Sequence, residues 1–403
     1  MLPRGLLPIR WAGAALVAAG LTAVGATAAT ADPPATAASA PQVAVPGGVL
    51  GVQVGGRQLL RDCKPWVPRG LSLFGRLIPR DWRSDPGTVA ARDAFGPATI
   101  DLARAIGADV LRLQIGMPFL DPQSPQHRPA YLGELRDAVA LARRAGFSVI
   151  LSMQWQGRTA VKPVETAPAA SALRAWRAVG PAFAGDLGVA FELFNEPTGA
   201  LPPTAKDWSA WQSGHQALID ALRSVGARNL LIVNGLHGAQ WLDGAPALTD
   251  PIAQLAYAVH PYFGTQAPGP VGAKRSAGQL ARVWDRRFGQ FAERHPVIVT
   301  EWGHAAKHCV SGEANQVQSL LDYLAERRIG VIAYGVDEQQ NRLLTGMSGG
   351  RPVWSSFRNR SCDADGAGPG EMLQGLFERQ AREAARAQAV APAACERPTA
   401  TAR

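Results

Sequence analysis

The sequence predicts an α/β protein folded as a single (β/α)8 barrel. Two observations support this prediction: short apolar, β-branched runs alternate with amphipathic helical segments, and about eight such units follow one another. Strict alternation predicts parallel strands joined by right-handed crossovers. Eight units favour a closed barrel over an open doubly wound sheet. A dinucleotide-binding sheet has no support, because no Gly-x-Gly-x-x-Gly motif follows a predicted strand.

The first half of the barrel domain begins with a predicted hairpin, Val49–Leu60, that would plug the bottom of the barrel. Gly70 marks a point of close packing in the first barrel strand. The predicted strands are Trp66–Leu73, Val110–Ile115, Phe147–Met153 and Val189–Phe194. The predicted helices are Pro97–Ile106, Tyr131–Arg144 and Ala169–Phe183.

The second half repeats the same alternation. The predicted strands are Leu230–Val233, Leu255–His260, the run from Pro296 to Glu301, and Gly330–Tyr334. The predicted helices are Trp208–Val225, Ser276–Arg294, Asn315–Arg328 and a closing helix, Glu371–Gln388. A long loop from Asp337 to Pro369 would narrow or roof one side of the barrel mouth.

Two glutamates follow two of these apolar strands. The run Val189–Phe194 leads to Glu196 and stops at Pro197, which cannot donate to a sheet ladder. The run Pro296–Thr300 leads to Glu301. Both runs are hydrophobic almost throughout, as strands covered on both faces are. Barrel enzymes hold their chemistry at the carboxyl ends of such strands.

The spacing of the two glutamates predicts strands 4 and 7 of the barrel. A barrel of eight units takes roughly 250 residues, or about 31 to 35 per unit, so the 105 residues between Glu196 and Glu301 are about three units. Glycoside hydrolysis needs two carboxyl groups beside one bond, about 5 to 5.5 Å apart when configuration is retained. A single strand-end glutamate is more often a partner of an arginine, but two of them at one barrel mouth favour catalysis.

The composition is that of a soluble globular protein, with 47% hydrophobic and 18% charged residues. The net charge of +9 comes mainly from scattered arginines, and no stretch alternates basic and aromatic residues as nucleic-acid-binding segments do. We therefore expect no nucleic-acid partner. No ligand spacing for a metal and no cofactor motif is found, so we expect neither a metal nor a cofactor. The sequence leaves the oligomeric state open, and a monomer is our working expectation.

The N-terminus predicts a secretory signal. Arg4 and Arg10 precede an apolar run and then the small residues of 26–40. The run is too short for a membrane span, so we expect no stable membrane anchor. We predict a signal peptide over 1–31, a disordered Pro/Ala/Thr-rich segment over 32–44, the barrel domain over 45–395 and a disordered tail over 396–403, in a secreted or periplasmic protein.

Four cysteines are expected to form disulfides in an oxidising compartment. Three pairings are possible. In the pairing we favour, Cys63–Cys395 would tie the ends of the domain together and Cys309–Cys362 would brace one side of the mouth. None of the four has the spacing of a metal site.

With these motifs in place, the chain resembles the retaining, cellulase-like glycoside hydrolases of family 5, from roughly Pro65 to Arg386. Asn195-Glu196-Pro197 is similar to the family's Asn-Glu-Pro, and Glu301 before Trp302 is similar to its nucleophile. The resemblance implies that Glu196 is the general acid/base, that Glu301 is the nucleophile and that Asn195 binds the sugar 2-hydroxyl.

Further residues complete the resemblance. His260-Pro261-Tyr262 is similar to the family's His-x-Tyr, in which the tyrosine hydrogen-bonds the nucleophile, and Arg112 is similar to the supporting arginine of strand 2. Gln154 and Tyr334 stand where the family usually has histidine and tryptophan. The resemblance implies sugar contacts from both. Trp302 is a further candidate for a sugar contact, because it directly follows Glu301.

The resemblance implies double displacement at a β-glycosidic bond of a polysaccharide or oligosaccharide. Glu301 would attack the anomeric carbon while Glu196 protonates the leaving oxygen and then activates water. A secreted carbohydrate-binding barrel without catalysis is the alternative, with Gln154 in its favour. A β-mannanase, a β-1,3-glucanase or a glycolipid hydrolase of the same clan would keep the chemistry and change the substrate. The expected partner is a carbohydrate of β-glucan or β-mannan type.

Overall fold

The fold is described from a computed structural model of the 403-residue chain. The structure describes residues 51–155, 167–262, 276–303, 313–334, 344–349, 351–354 and 369–388. The predicted signal peptide, the disordered segment after it and the C-terminal tail lie outside these residues, as do Cys309, Cys362 and Cys395. Their assignments stay predictions.

A three-stranded antiparallel sheet precedes the barrel. Its strands are β1 (Val52–Gly55), β2 (Gln58–Arg61) and β3 (Lys64–Trp66), in that order. The predicted hairpin is therefore confirmed over its described part. The predicted first barrel strand began too early, because Trp66 belongs to β3. Pro68 separates the two strands, because it has no N–H to donate to a ladder. Its carbonyl accepts a hydrogen bond from the Val331 N–H at 2.9 Å.

Eight parallel strands form a closed barrel, as predicted, in the cyclic order β4 to β11. The barrel strands are β4 (Arg69–Leu73), β5 (Val110–Gly116), β6 (Ser148–Gln154), β7 (Val189–Glu192), β8 (Leu231–Asn234), β9 (Leu255–Val259), β10 (Val297–Trp302) and β11 (Gly330–Tyr334). Gly70 does lie at a close approach, since a Cβ there would be 2.7 Å from the Val110 carbonyl oxygen.

Helices follow the strands around the barrel. They are α1 (Pro86–Ala94), α2 (Pro97–Ala105), α3 (Met117–Leu120), α4 (Tyr131–Arg144), α5 (Ala170–Phe183), α6 (Ala205–Ser224), α7 (Leu236–Ala239), α8 (Ala277–Trp284), α9 (Gln290–Ala292), α10 (Glu313–Glu326) and α11 (Pro369–Gln388). Helix α8 continues into α9 through a π-helical turn, Asp285–Gly289. None of the described helices is long and apolar enough to cross a membrane.

Besides the short helices α3 and α7, two elements were absent from the sequence prediction. Helix α1 begins after Asp85, whose side chain accepts a hydrogen bond from the Thr88 N–H at 3.0 Å. Asp85-Pro86 is an ordinary helix-start signal that could have revealed it. The second element is an antiparallel hairpin, β12 (Leu344–Ser348) and β13 (Arg351–Trp354), within the predicted long loop.

The lower half of the barrel interior is apolar. Side chains of alternate strand residues fill it, and Val52 and Leu59 of the N-terminal sheet close it from below. The inward residues are Val110, Ile150, Ala190, Ile232, Ala256, Ile298 and Ile332. A second, larger cluster packs the outer faces of the strands against the helices. The N-terminal sheet is thus the plug that the sequence predicted.

Candidate active site

The two predicted catalytic glutamates lie at the same end of the barrel. Glu196 follows β7 and Glu301 is the penultimate residue of β10. An oxygen of Glu196 and an oxygen of Glu301 lie within 4.8 Å of each other. Glu301 is 7% exposed, and the side chain of Glu196 is 22% exposed. The spacing predicted from the sequence is therefore realised as one compact carboxylate pair.

A β-bulge turns Glu301 toward the barrel axis. Strand β10 pairs with β11 through Val299 and Val331, and then through Trp302 and Ala333, so β10 holds one extra residue between the two pairs. Val299 and Trp302 pack in the outer cluster. The two residues between them, Thr300 and Glu301, both make hydrogen bonds inside the barrel.

Glu196 has an unusual backbone conformation. Its φ is 52°, in the left-handed region that glutamate rarely adopts. The preceding residue is fixed by a hydrogen bond from the Asn195 N–H to the Met153 carbonyl at 2.9 Å. Backbone strain of this kind costs roughly 1–3 kcal/mol and is found mostly at functional sites. Here it places the Glu196 carboxylate beside His260, whose Nδ1 is 2.9 Å from Oε1.

Glu301 is held by two donors. The Arg112 Nη1 donates to Oε2 at 2.7 Å, and the Tyr262 hydroxyl donates to Oε1 at 2.7 Å. Both contacts were predicted. Burial, with the charge of Glu301 adding to it, raises the pKa of Tyr262 well above its ordinary value, so the hydroxyl stays a donor.

Arg112 is the centre of a buried network. Its guanidinium is fully buried and makes six hydrogen bonds, to the Glu301 oxygen already described and to four other side chains. Glu192 accepts two of them, at 2.6 and 3.1 Å. Asn195 Oδ1 accepts one at 2.6 Å, and the hydroxyls of Ser72 and Ser152 accept one each, at 2.8 and 2.9 Å.

The charges in this network stabilise one another. Burial alone would lower the pKa of Arg112, but the charges of Glu192 and Glu301 outweigh burial and raise it. Burial alone would raise the pKa of Glu192, but the charge of Arg112 and the hydrogen bonds of His260 and Arg112 together outweigh burial and hold this pKa well below its usual range. Glu192 is therefore ionised, and Arg112 is shared between two carboxylates.

His260 connects the network to Glu196. Its Nε2 is 3.0 Å from the Thr300 hydroxyl oxygen, and that hydroxyl donates to Glu192 Oε1 at 2.9 Å. Burial would lower the pKa of His260, but the charge of Glu301 and the contacts with Glu192 and Glu196 raise it to about 9. The imidazole is fully buried and positively charged near neutral pH.

The remaining predicted residues line the same end of the barrel. Gln154 is buried and donates to the Ser152 hydroxyl at 3.1 Å. Tyr334 is 6% exposed, and its ring lies edge-on to that of Tyr262 at a centroid distance of 6.4 Å. The sugar contacts of both side chains stay predictions.

Trp302 differs from its prediction. Its side chain is fully buried in the outer cluster, and its indole N–H has no hydrogen-bond partner among the described residues. The bulge explains this position, because it turns Glu301 inward and leaves Trp302 on the helix-facing side of the strand. In this structure Trp302 offers no ring face to a sugar. The next residue, Gly303, lies where only a glycine fits, because a Cβ there would be 2.7 Å from the Tyr334 carbonyl oxygen.

Sequence reasoning missed the supporting polar residues inside the barrel. Glu192 and Thr300 are fully buried and bonded to each other, and Ser72 and Ser152 hold Arg112. One signal was available. Glu192 is the only charged residue of an otherwise apolar strand, and a charged side chain is almost never fully buried unless it is paired.

Three groups of the site could also approach a cation. Glu196, His260 and Glu301 each offer one ligand atom, and these atoms lie within 4.8 Å of one another. Each side chain already has a hydrogen-bond partner in His260, Thr300 or Arg112. The expectation of a site without metal stays a prediction.

Among the cysteines, Cys63 is in a disulfide, and its three possible partners lie outside the described residues, so both predicted disulfides stay predictions.

Solved structures with this fold include several β-glucan-active proteins. A β-glucanase from Saccharophagus degradans, in complex with cellotetraose, has a TM-score of 0.60 at 20% identity, over 85% of this chain and 98% of that one. A family 5 xyloglucanase from Bacteroides ovatus, in complex with a heptasaccharide, has a TM-score of 0.57 at 14% identity, over 77% and 75%. The catalytic domain of an endoglucanase from Thermobifida fusca has a TM-score of 0.56 at 19% identity, over 82% and 97%.

These likenesses are to the fold, since all three identities are low. The family itself is identified by sequence. The model of the cellulase family, glycosyl hydrolase family 5, matches residues 88–340, which is more than half of the chain and includes both glutamates. The chain therefore belongs to glycosyl hydrolase family 5.

Proposed function

We propose that the protein is a retaining β-glycoside hydrolase in which Glu301 is the nucleophile and Glu196 is the general acid/base. The observation that carries this proposal is the oxygen-to-oxygen separation of no more than 4.8 Å between the two side chains. Retention needs carboxyl groups about 5 to 5.5 Å apart, whereas inversion needs about 6.5 to 9.5 Å to admit a water. One oxygen of each carboxyl group lies within this distance of the other, which favours the retaining arrangement.

The first step is attack by Glu301 on the anomeric carbon. A C–O bond forms between the carboxylate and the sugar while the glycosidic C–O bond breaks, and Glu196 gives its proton to the departing oxygen. Arg112 and Tyr262 hold Glu301 by one oxygen each and fix its orientation. Because Arg112 is also tied to Glu192, its charge is shared, and Glu301 remains able to bond to carbon.

The second step releases the sugar. Glu196, now ionised, takes a proton from water, whose oxygen attacks the anomeric carbon and displaces Glu301. His260 at 2.9 Å stabilises the ionised state of Glu196. Asn195 has its Oδ1 bonded to Arg112, which orients its amide for the sugar 2-hydroxyl.

We propose a β-glucan or xyloglucan as the substrate class. Support comes from the neighbouring structures, of which one holds cellotetraose and another a xyloglucan-type heptasaccharide. Gln154 can hydrogen-bond a sugar hydroxyl through its carboxamide, and Tyr334 can pack against a ring. β-Mannan and β-1,3-glucan are the competing substrates of the same chemistry.

The first test is product release from a panel of cello-oligosaccharides, mixed-linkage β-glucan, xyloglucan, β-mannan and β-1,3-glucan. The wild type is compared with Glu196→Gln and with a control, Glu293→Gln, which removes an exposed carboxylate at the opposite end of the barrel. We expect the control to match the wild type and Glu196→Gln to lose about 10²- to 10⁴-fold in kcat. Binding of a glycan without turnover by the wild type would support a sugar-binding barrel instead.

A second substrate separates the two glutamates by role. The leaving group of a 2,4-dinitrophenyl β-glycoside departs without protonation. Glu196→Gln should therefore still release a burst of dinitrophenol, because the attack by Glu301 needs no acid here. Glu301→Gln should show no burst. A burst in Glu301→Gln, or its loss in both variants, would contradict the assigned roles.

We also propose that the protein acts outside the cytoplasm. The N-terminal pattern of arginines, an apolar run and small residues supports export. Mass spectrometry of the protein recovered from an expressing bacterium tests this proposal. The expected N-terminus is Asp32, and recovery of Met1 in the mature protein would contradict it.

A further inference from the structure

Glu192, the last residue of β7, has no place in the two-step reaction, although it is the most tightly held carboxylate of the site. Glu192 is fully buried and accepts two hydrogen bonds from Arg112 and one from Thr300. Its position four residues before Glu196 sets it below the reacting pair, inside the barrel. A buried charge needs a reason, since an apolar residue would be as stable or more so.

The direction of each hydrogen bond follows from this charge. An ionised carboxylate can only accept, so the single hydrogen of the Thr300 hydroxyl must point to Glu192. A lone pair of that hydroxyl then faces His260 Nε2 at 3.0 Å. The Nε2 atom must therefore carry a hydrogen and donate it. The tautomer of His260 is set by two residues that touch no reacting atom.

Fixing Nε2 as a donor leaves Nδ1 to face Glu196 Oε1 at 2.9 Å. With a second proton on Nδ1, His260 donates to Oε1 and occupies that oxygen. The proton that Glu196 transfers must then sit on its other oxygen, Oε2. The charge of Glu301 and the contact with Glu192, which both raise the pKa of His260 independently of Glu196, favour this doubly protonated ring.

We propose that Glu192 and Thr300 are positioning residues that keep both nitrogens of His260 protonated and so reserve Glu196 Oε2 for the proton transferred in catalysis. This inference rests on the proposed function of Glu196. Among the described residues, the ionisable groups around His260 are Glu192 of β7, Glu196 after β7 and Glu301 of β10. Arg112 and Tyr262 lie one contact further away, through Glu192 and Glu301.

Thr300→Val tests the proposal, because it removes the hydroxyl and keeps the shape. Nε2 then loses its acceptor, and we expect the pH at which His260 titrates to fall by about one unit or more. Histidine NMR signals report this titration without substrate, and the signals of the other six histidines serve as the internal control. Thr300→Ser, which restores the hydroxyl, should restore the titration of His260.

The alkaline limb of kcat should move with the histidine. Above the lowered pKa of His260 in Thr300→Val, the ring is neutral and Nδ1 accepts a hydrogen bond from the protonated Oε1 of Glu196, which holds the carboxyl proton away from the leaving group. We expect the decline of kcat with pH to begin about one pH unit or more earlier than in the wild type. Glu192→Gln should shift both readouts in the same direction, and it serves if Thr300→Val does not fold.

An unchanged His260 titration in both folded variants would overturn the proposal, and so would a Thr300→Ser protein that behaves like Thr300→Val. A different result would contradict the proposed function. A wild type that cleaves no glycan would contradict the assignment of Glu196 as acid/base, while the titration of His260 would still show whether Glu192 and Thr300 set its protonation.

Discussion

The two halves of the barrel interior are built by the same strands and have opposite chemistry. Five of the seven inward apolar residues named for the lower half are followed, two positions later, by a polar residue of the upper half, because side chains on one face of a strand recur with period two. The pairs include Val110 and Arg112, Ile150 and Ser152, Ala190 and Glu192, Ile232 and Asn234, and Ile298 and Thr300.

The lower half of the interior therefore stabilises the fold, and the upper half carries the catalytic groups. The lower half removes apolar surface from water and is closed by the N-terminal sheet. The upper half buries Arg112 and Glu192 completely, an arrangement that a purely structural core would avoid. Changes below should therefore alter stability alone, and changes above should alter turnover.

The largest expected effect is on turnover in Glu301→Gln. The amide cannot form the glycosyl-enzyme bond, so we expect kcat to fall by about 10³-fold or more. The unfolding temperature should stay near that of the wild type, which shows that the loss is chemical. Hydrolysis at a near-normal rate would contradict the role of Glu301.

Arg112→Met should have the largest effect on stability in the upper half. It leaves the buried carboxylates of Glu192 and Glu301 without their cation, and breaking a buried pair in this way costs about 3–5 kcal/mol. Urea unfolding measures this loss. Adding Glu192→Gln to the variant should recover part of it, because one unpaired charge is removed. No recovery would mean that Glu192 is not held by the charge of Arg112.

Ile298→Ala makes the matching change in the lower half of β10. A cavity in the apolar layer should cost about 2–5 kcal/mol of unfolding free energy. At temperatures where the variant stays folded, kcat should equal that of the wild type. A large fall in kcat in the folded variant would break the division between the two halves.

Stability should depend on pH through His260. Its pKa is raised from about 6.5 to about 9 in the folded protein. The resulting stabilisation is complete below about pH 6.5 and is lost as the pH rises through about 9. The difference in unfolding temperature between the wild type and His260→Asn should therefore shrink from about pH 6 to above pH 9. A difference that grows with pH would reverse the assigned charge.

The smallest expected effect is that of Asn234→Leu. Asn234 is fully buried in the upper half, and neither polar atom of its side chain has a hydrogen-bond partner among the described residues. An unpaired buried amide costs roughly 1–3 kcal/mol, so a leucine of similar size should leave stability unchanged or raise it slightly. Clear destabilisation in urea would show that the amide is bonded in solution.

The sequence predicted the barrel well because its signals are strong there. Parallel strands covered on both faces are apolar runs that end at a polar residue, and Glu196 and Glu301 stand at two such ends. Arg112, His260 and Tyr262 were found through their motifs. The predicted start of the first barrel strand was wrong because Pro68 interrupts the ladder there. Helix α1 was missing from the prediction, although Asp85-Pro86 is a helix-start signal.

Other features could not be predicted from a single sequence. The bulge in β10 depends on the register with β11, and it alone determines that Thr300 and Glu301 both face inward while Trp302 faces the helices. A glutamate inside an apolar strand indicates that its side chain has a buried hydrogen-bonding partner, but a single sequence does not identify that partner. The link from Glu192 through Thr300 to His260 joins strands far apart in the chain.

The central claim is that the close carboxylate pair acts by double displacement, and the anomeric form of the first product tests it most directly. Proton NMR during hydrolysis of whichever β-glycan the protein cleaves distinguishes the two anomers before they interconvert. Retention predicts that the β-anomer forms first, because Glu301 and water each invert the anomeric carbon once. An α-anomer formed first would mean a single displacement and would contradict the assignment of Glu301 as nucleophile.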